Sequence, residues 1–139
     1  MVIDHICFAV KNLSESLRYW QEVFGYQPMT NPVVNTRQKV KVQFLQKTDS
    51  LLVKLIEPLE GNISLQNFVD QGGGGFHHVC FKCDNLEQKV AELKQKNVRM
   101  LAPVQPGEAF DNNNIAFFLA KNRITFEVID TDKKADLID

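Results

Sequence analysis

Apolar and polar positions alternate through residues 2–10, placing Ile6, Phe8 and Val10 on one side and His5, Cys7 and Ala9 on the other. That two-residue period marks a strand with one face against a core. The period then lengthens. Leu13, Leu17, Trp20 and Phe24 recur at the spacing of an amphipathic helix, with Asn12 or Ser14 suited to its N-cap and Gly25 to its end. Strand-like stretches follow at roughly 27–34, 38–46 and 51–57, and a short helix at 63–69 leads into the glycine run 72–75. The order then recurs. A strand at 76–83 precedes a helix carried by Leu86, Val90 and Leu93, capped by Asp84 or Asn85 and ended by Asn97. Further strands are expected at roughly 99–104, 114–119 and 123–129.

The second half repeats the first in its residues as well as in its pattern. At an offset of 73, DHICFAVKNL falls on HHVCFKCDNL with five identities in ten positions, among them His5 on His78 and Cys7 on Cys80. The same offset lays LLVKLIEP on ITFEVIDT, so that Lys54 meets Glu127 and Glu57 meets Asp130. The chain therefore reads as α+β, two tandem βαβββ modules at about 1–66 and 75–131, packed around an approximate twofold axis with helices outside. The glycine run lacks the Gly-Lys-Ser/Thr of a phosphate loop and reads as a flexible joint, one that would permit module exchange between subunits.

At 139 residues the chain has the size of one domain, spanning 1–139, and can bury a core without disulfide or metal. A net charge of −1 argues against a nucleic-acid or anionic-membrane surface. The longest wholly apolar run, residues 115–120, is far short of the roughly 20 residues of a membrane span. The N-terminus turns polar at Asp4 and His5, unlike a signal peptide. Three cysteines, an odd number, point to free thiols in a reducing compartment and so to a cytoplasmic protein. Cys80 and Cys83 form a C-x-x-C, but on a strand they point to opposite faces and no second pair completes a zinc site.

Candidate chemistry follows from the repeat. His5 and His78 occupy equivalent places on equivalent strands, as do Lys54 and Glu127 on the last strands. Packing about a twofold axis would bring all four together. Two imidazoles and a carboxylate suit zinc, iron, nickel, cobalt or manganese. Lys54 opposes this, since an ammonium cannot ligate until it loses its proton. Either Lys54 swings aside to hold an anionic substrate group over a three-ligand metal, or it pairs with Glu127 and leaves a metal-free binding site. Cys7 and Cys80 should face the same cup, whereas His77 has no histidine mate and should face away as a structural residue.

The segments IDHICFAVKNLSESLRYWQEVFGY, KLIEPLEGNISLQNFVDQGGGGFHHVCFKCDNLEQKVAELK and NNNIAFFLAKNRITFEVID resemble the vicinal oxygen chelate superfamily over residues 2–130. Within it they are most similar to the methylmalonyl-CoA epimerase and glyoxalase-like branch. The resemblance implies one cupped, eight-stranded mixed sheet, a homodimer and a small-molecule partner. It implies a divalent metal on His5, His78 and Glu127, with Lys54 standing where a fourth ligand, Glu or Gln, is expected. The family's other acid/base glutamate has no counterpart, Arg37 and Gln38 lying nearest. Metal-assisted isomerase, epimerase or lyase chemistry on an oxygen-rich substrate is then the leading expectation. Glu127 would move the proton through an enediolate-like intermediate, and Lys54, Cys7 and Cys80 would contact substrate. Metal-free sequestration is the alternative, and a redox iron dioxygenase, usually built on a longer chain, ranks last.

Overall fold

The computed structural model describes residues 1–139. Each module contributes one edge-to-centre half of a single mixed sheet. The first half holds β1 (Val2–Ala9), β2 (Gln27–Pro28), β3 (Val33–Asn35), β4 (Val40–Gln46) and β5 (Leu52–Pro58). The second holds β6 (Gly75–Lys82), β7 (Arg99–Gly107), β8 (Asn113–Leu119) and β9 (Thr125–Ile129). The strand order is β2-β4-β5-β1-β6-β9-β8-β7, with β3 also on β4. β1 lies parallel to β5 and β6 parallel to β9, while β1 and β6 run antiparallel at the centre. The approximate twofold axis therefore passes between β1 and β6.

Helices α1 (Leu13–Phe24) and α3 (Leu86–Gln95) cover the outer face because their apolar stripes match the outward residues of the sheet. Leu13 packs with Tyr26, Leu45, Val53 and Leu55, and Leu86, Val90 and Leu93 pack with Phe118, Phe126 and Val128. Asn12 and Asn85 cap the two helices by accepting from Glu15 N and Gln88 N, and Gly25 ends α1 in the left-handed conformation. The repeat mates Glu57 and Asp130 have equivalent structural roles. Glu57 accepts from Leu13 N at 2.8 Å and Asp130 from Leu86 N at 2.9 Å, each tying its last strand to the start of its own helix. The inner face holds a second core of Cys7, Ala9, Phe44, Ile56, Cys80, Phe110, Ile115 and Ile129.

The sheet has nine strands where eight were expected. The stretch expected at 27–34 splits into β2 and β3 because Pro28 and Pro32 remove ladder donors and the chain steps aside between them. Met29 N and Thr30 N both donate to Phe44 O there, and Thr30 Oγ1 accepts from Phe44 N at 3.1 Å. The joint between modules also differs from expectation. Helix α2 (Ile63–Gly72) runs to the edge of the glycine run, and Gly73 caps it at φ 76°. Gly74, at φ +80°, lies so close to β1 that a Cβ would sit 2.4 Å from Ala9 O. The glycines thus serve a tight turn packed on the sheet rather than a slack linker.

The rims of the cup meet on one side. Glu108 Oε1 accepts from Thr36 N at 2.8 Å and Thr36 Oγ1 at 2.7 Å, joining module one's β3–β4 turn to module two. The C-terminal segment after β9 then crosses the same side. Ala135 N donates to Ala109 O, Asn31 N to Asp136 O and Ile138 N to Met29 O. Its Lys134 is buried, at 4% exposure, although the segment lies beyond the duplicated pattern.

Substituting Gly74→Ala is expected to lower stability by more than about 1 kcal/mol, since the new Cβ meets backbone and φ is positive. Chemical denaturation followed by circular dichroism checks this. An unchanged midpoint would show that the turn can move away from β1.

Candidate functional site

Strand register assembles the site. Cys7 pairs with Lys54 across β1 and β5, and Cys80 with Glu127 across β6 and β9, the same register in each module. His5, Lys54, His78 and Glu127 therefore converge on the inner face, all at most 3% exposed. Two β-bulges refine the arrangement. β1 pairs Ile3 with Phe81 and His5 with Cys80, leaving Asp4 extra, and it pairs Cys7 with His78 and Phe8 with Phe76, leaving His77 extra. Asp4 and His77 are themselves repeat mates at the offset of 73. Each bulge turns its extra side chain toward the histidine that follows it.

Glu127 Oε1 is the hub. Lys54 Nζ donates to it at 3.0 Å, and the Nε2 atoms of His5 and His78 each lie 3.3 Å away. The outer nitrogens meet the bulged residues: His5 Nδ1 lies 2.7 Å from Asp4 Oδ2, and His78 Nδ1 lies 2.8 Å from His77 Nδ1. These partners assign the tautomers. His78 Nε2–H donates to the carboxylate, so neutral His78 leaves Nδ1 bare, and His77 Nδ1–H must donate to it. His77 is then left with a bare Nε2. On the other side His5 Nδ1–H donates to Asp4, and His5 Nε2, like Glu127 Oε2, has no hydrogen-bond partner.

Electrostatics keeps the central Lys54–Glu127 pair charged. Burial pushes the Glu127 carboxyl up, but the Lys54 ammonium and the histidine contacts outweigh it and hold it well below the usual range. Burial pulls Lys54 down, but the Glu127 charge outweighs it and keeps the ammonium protonated. Burial, with Lys54 adding to it, lowers His78 to about 3, so its ring is neutral. Burial also raises Cys7 to about 12 and Cys80 well above its ordinary value, so both thiols are inert.

The donor set of His5, His78 and Glu127 has its ligand atoms within 4.8 Å of one another and two orphaned polar atoms, which by itself fits a divalent ion. Lys54 does not. Its ammonium is hydrogen-bonded to the same Oε1 such an ion would need, and unit charges 4 Å apart cost about 4 kcal/mol at an effective dielectric of about 20, roughly double against a dication. With Lys54 in this place the residues present do not fit a resident divalent metal.

A cavity of about 280 Å³ opens above Lys54, His77 and His78, walled by Val40, Ile56, Leu65, Phe68 and Phe117 with Gln38, Asn62 and Ser64 at its polar parts. This corrects one expectation: His77 does not face away, because the bulge turns it to the cavity. Cys7, Cys80 and Glu127 point inward but are fully buried and lie beneath the cavity lining. Asp4 and Lys134 escaped the sequence reading. The pairing of Asp4 with His77 at the repeat offset was the available signal for the first; nothing in the local pattern marked the second.

A model of the glyoxalase/bleomycin resistance protein/dioxygenase superfamily matches residues 4–117, and the chain belongs to that superfamily. It is 30% identical over 115 residues to the uncharacterized protein YqjC of Bacillus subtilis, covering 83% of this chain and 80% of that one. It is 28% identical to the mitochondrial methylmalonyl-CoA epimerase of Dictyostelium discoideum over 73% of this chain, spanning only 60% of that protein's length. In fold it resembles methylmalonyl-CoA epimerase from Mycobacterium tuberculosis, with a TM-score of 0.82 at 21% identity over 93% of this chain and 87% of that one. It also resembles a methylmalonyl-CoA epimerase in complex with methylmalonyl-CoA and NH4+, with a TM-score of 0.81 at 22% identity over 99% and 98% of the two chains.

Stability should fall as pH drops from about 6.5 toward about 3. In that window the unfolded chain takes up a proton at His78 that the folded chain refuses, so each pH unit costs up to about 1.4 kcal/mol for this one group. Glu127, also depressed, acts in the same direction below its ordinary value of 4.5. Denaturant midpoints between pH 7 and pH 4 check the slope; a flat profile would mean that His78 is already open to protons.

Proposed function

We propose that this member of the superfamily is an isomerase or epimerase that moves a proton on a small carbonyl compound, with the Lys54 ammonium in the place where the family resemblance implies a metal ion. The observation that carries the reading is the buried Lys54–Glu127 pair, set between two imidazoles, with Lys54 at the floor of the cavity and Glu127 beneath it. Both modules act together as one domain in this reading.

The residues that line the cavity divide the work. A substrate carbonyl oxygen accepts a hydrogen bond from Lys54 Nζ. His77 Nε2, bare in the assigned tautomer, takes the proton from the neighbouring carbon. The C–H electron pair moves into the carbonyl, and the resulting enolate oxygen is balanced by the ammonium. His77, now protonated, returns that proton to the opposite face of the planar enolate once the substrate has turned, which completes the epimerisation. Glu127 holds Lys54 in position and charged, and His78 joins His77 to Glu127. The structure of a relative with NH4+ and methylmalonyl-CoA supports an ammonium as a cation compatible with this fold. A thioester acyl group is therefore the first substrate to try.

A second reading, sequestration without turnover, is favoured by one observation: no carboxylate lines the cavity. A homodimer is supported by the apolar residues Val2, Ile3 and Phe76, exposed on the paired central strands β1 and β6. Three free cysteines fit a reducing compartment such as the cytoplasm.

Deuterium exchange at the α-carbon of methylmalonyl-CoA, followed by NMR in D2O, tests the reaction. Wild-type protein should accelerate exchange, and Lys54→Met and His77→Gln should each lose 100-fold or more of that rate, of the order expected for removing a charge-stabilising or acid–base group. Binding without exchange would select sequestration. Lys54→Glu should bind zinc, nickel, cobalt or manganese orders of magnitude more tightly than wild type by titration calorimetry, because it turns a near-neutral site into one with two carboxylates. Equal affinities would mean that Lys54 does not guard the metal position.

A further inference from the structure

The site has two ends related by the repeat, and only one of them is open. At the His5 end Lys134 Nζ lies 3.2 Å from Asp4 Oδ2 and 5.3 Å from the ring centroids of both Phe44 and Phe110, so the C-terminal segment closes that side. At the His78 end the cavity runs outward from buried Lys54 to half-buried Gln38 and exposed Ser64. Strand register measures the distance. Val40 sits opposite Pro58, which lies four residues along β5 from Lys54, about 13 Å at the rise of a strand. Gln38 lies beyond Val40, in the turn between β3 and β4, so it stands at the mouth while Lys54 stands at the floor.

All but one of the hydrogen-bonding groups of Gln38 are engaged. Gln38 N donates to Asn35 Oδ1 at 3.0 Å, Gln38 O accepts from Asn62 Nδ2 at 2.9 Å, and Gln38 Oε1 accepts from Asn35 Nδ2 at 3.1 Å. This set fixes the side-chain amide. A backbone N–H can only donate, so buried Asn35 must turn its oxygen to Gln38 N and its NH2 to the Gln38 side chain. The Gln38 atom facing that NH2 must then be oxygen. Gln38 Nε2 is the group left over, a donor on the cavity wall.

We propose that Gln38 is a specificity-determining residue of this cavity, donating from Nε2 to a second oxygen of the substrate while Lys54 takes the first, and that Asn35 is the positioning residue that aims it. Between the two donors the walls are apolar, formed by Val40, Ile56, Leu65 and Phe68. The cavity therefore selects a ligand with an apolar middle and an oxygen acceptor at each end, such as an acyl thioester whose arm carries an amide carbonyl. The inference rests on the proposed function only in taking this cavity as the substrate site, and it holds for turnover and for sequestration alike.

Two uncharged probes separate the possibilities. S-propionyl-N-acetylcysteamine carries an amide carbonyl on its arm, and S-pentyl thiopropionate has the same chain without it. In NMR titrations of the wild-type protein, the Gln38 side-chain amide signal, assigned by its loss in Gln38→Leu, should shift with the first probe and not with the second. The affinity ratio of first to second probe should fall about fivefold in Gln38→Leu, the worth of one net hydrogen bond. Gln38→Glu, which offers oxygen where the amide offers N–H, should lower it at least as far. Asn35→Asp still accepts from Gln38 N but has no NH2, so the Gln38 amide turns over and the ratio should fall although Gln38 itself is intact. An unchanged ratio in Gln38→Leu or in Asn35→Asp, an amide signal indifferent to the first probe, or failure of the wild-type protein to take up either probe at millimolar concentration would overturn the proposal. A wild-type protein that shows the amide shift and the ratio but catalyses no α-carbon exchange would support the role of Gln38 and count against the isomerase reading alone.

Discussion

One buried ion pair organises this molecule. Lys54 and Glu127 come from the last strands of the two modules, and each lies in identical register against a central strand. Because both are buried, either one alone would be an uncompensated charge in a low-dielectric interior, worth several kcal/mol of instability. The modules must therefore close far enough for the 3.0 Å contact to form. Everything else at the site takes its orientation from the shared oxygen: the two inner imidazoles face it, and the bulged residues face the imidazoles.

The bulges convert a strand into a site. Regular alternation would have sent Asp4 and His77 to the outer face, toward α1 and α3. One extra residue in each strand turns them inward, so a two-residue motif supplies both an inner imidazole and the group that fixes its proton. The asymmetry between the two motifs then separates their functions. A carboxylate at one end attracts the C-terminal lysine and seals that mouth; an imidazole at the other leaves a cavity.

The sequence made the architecture legible because a repeat is a long-range signal. Matching His5 to His78 and Lys54 to Glu127 places residues 73 apart in space without any knowledge of packing. Periodicity locates α1 and α3 to within a residue or two, since both are marked by stripes and caps. What failed was local and geometric. A bulge leaves no trace in hydrophobic alternation, so alternation alone places His77 on the wrong face. Pro28 and Pro32 announced a break, but only the hydrogen bonds around Phe44 show how β2 and β3 share one neighbour. Lys134 lies in a polar stretch that looks like an ordinary tail, and its burial depends on Asp4, Phe44 and Phe110, none of them near it in the chain.

The duplicated origin of the pair has one more consequence. Residues on a true twofold axis face copies of themselves, so two identical modules would set lysine against lysine or glutamate against glutamate at this spot. The first arrangement repels, and the second holds only around a cation borrowed from solution. Opposite charges can meet there only where the two halves differ in sequence. Carrying both halves in one polypeptide gives this protein that freedom at the axis. Glutamate and lysine codons differ by one base, so a lineage can pass between borrowing its central cation and encoding it in a single step.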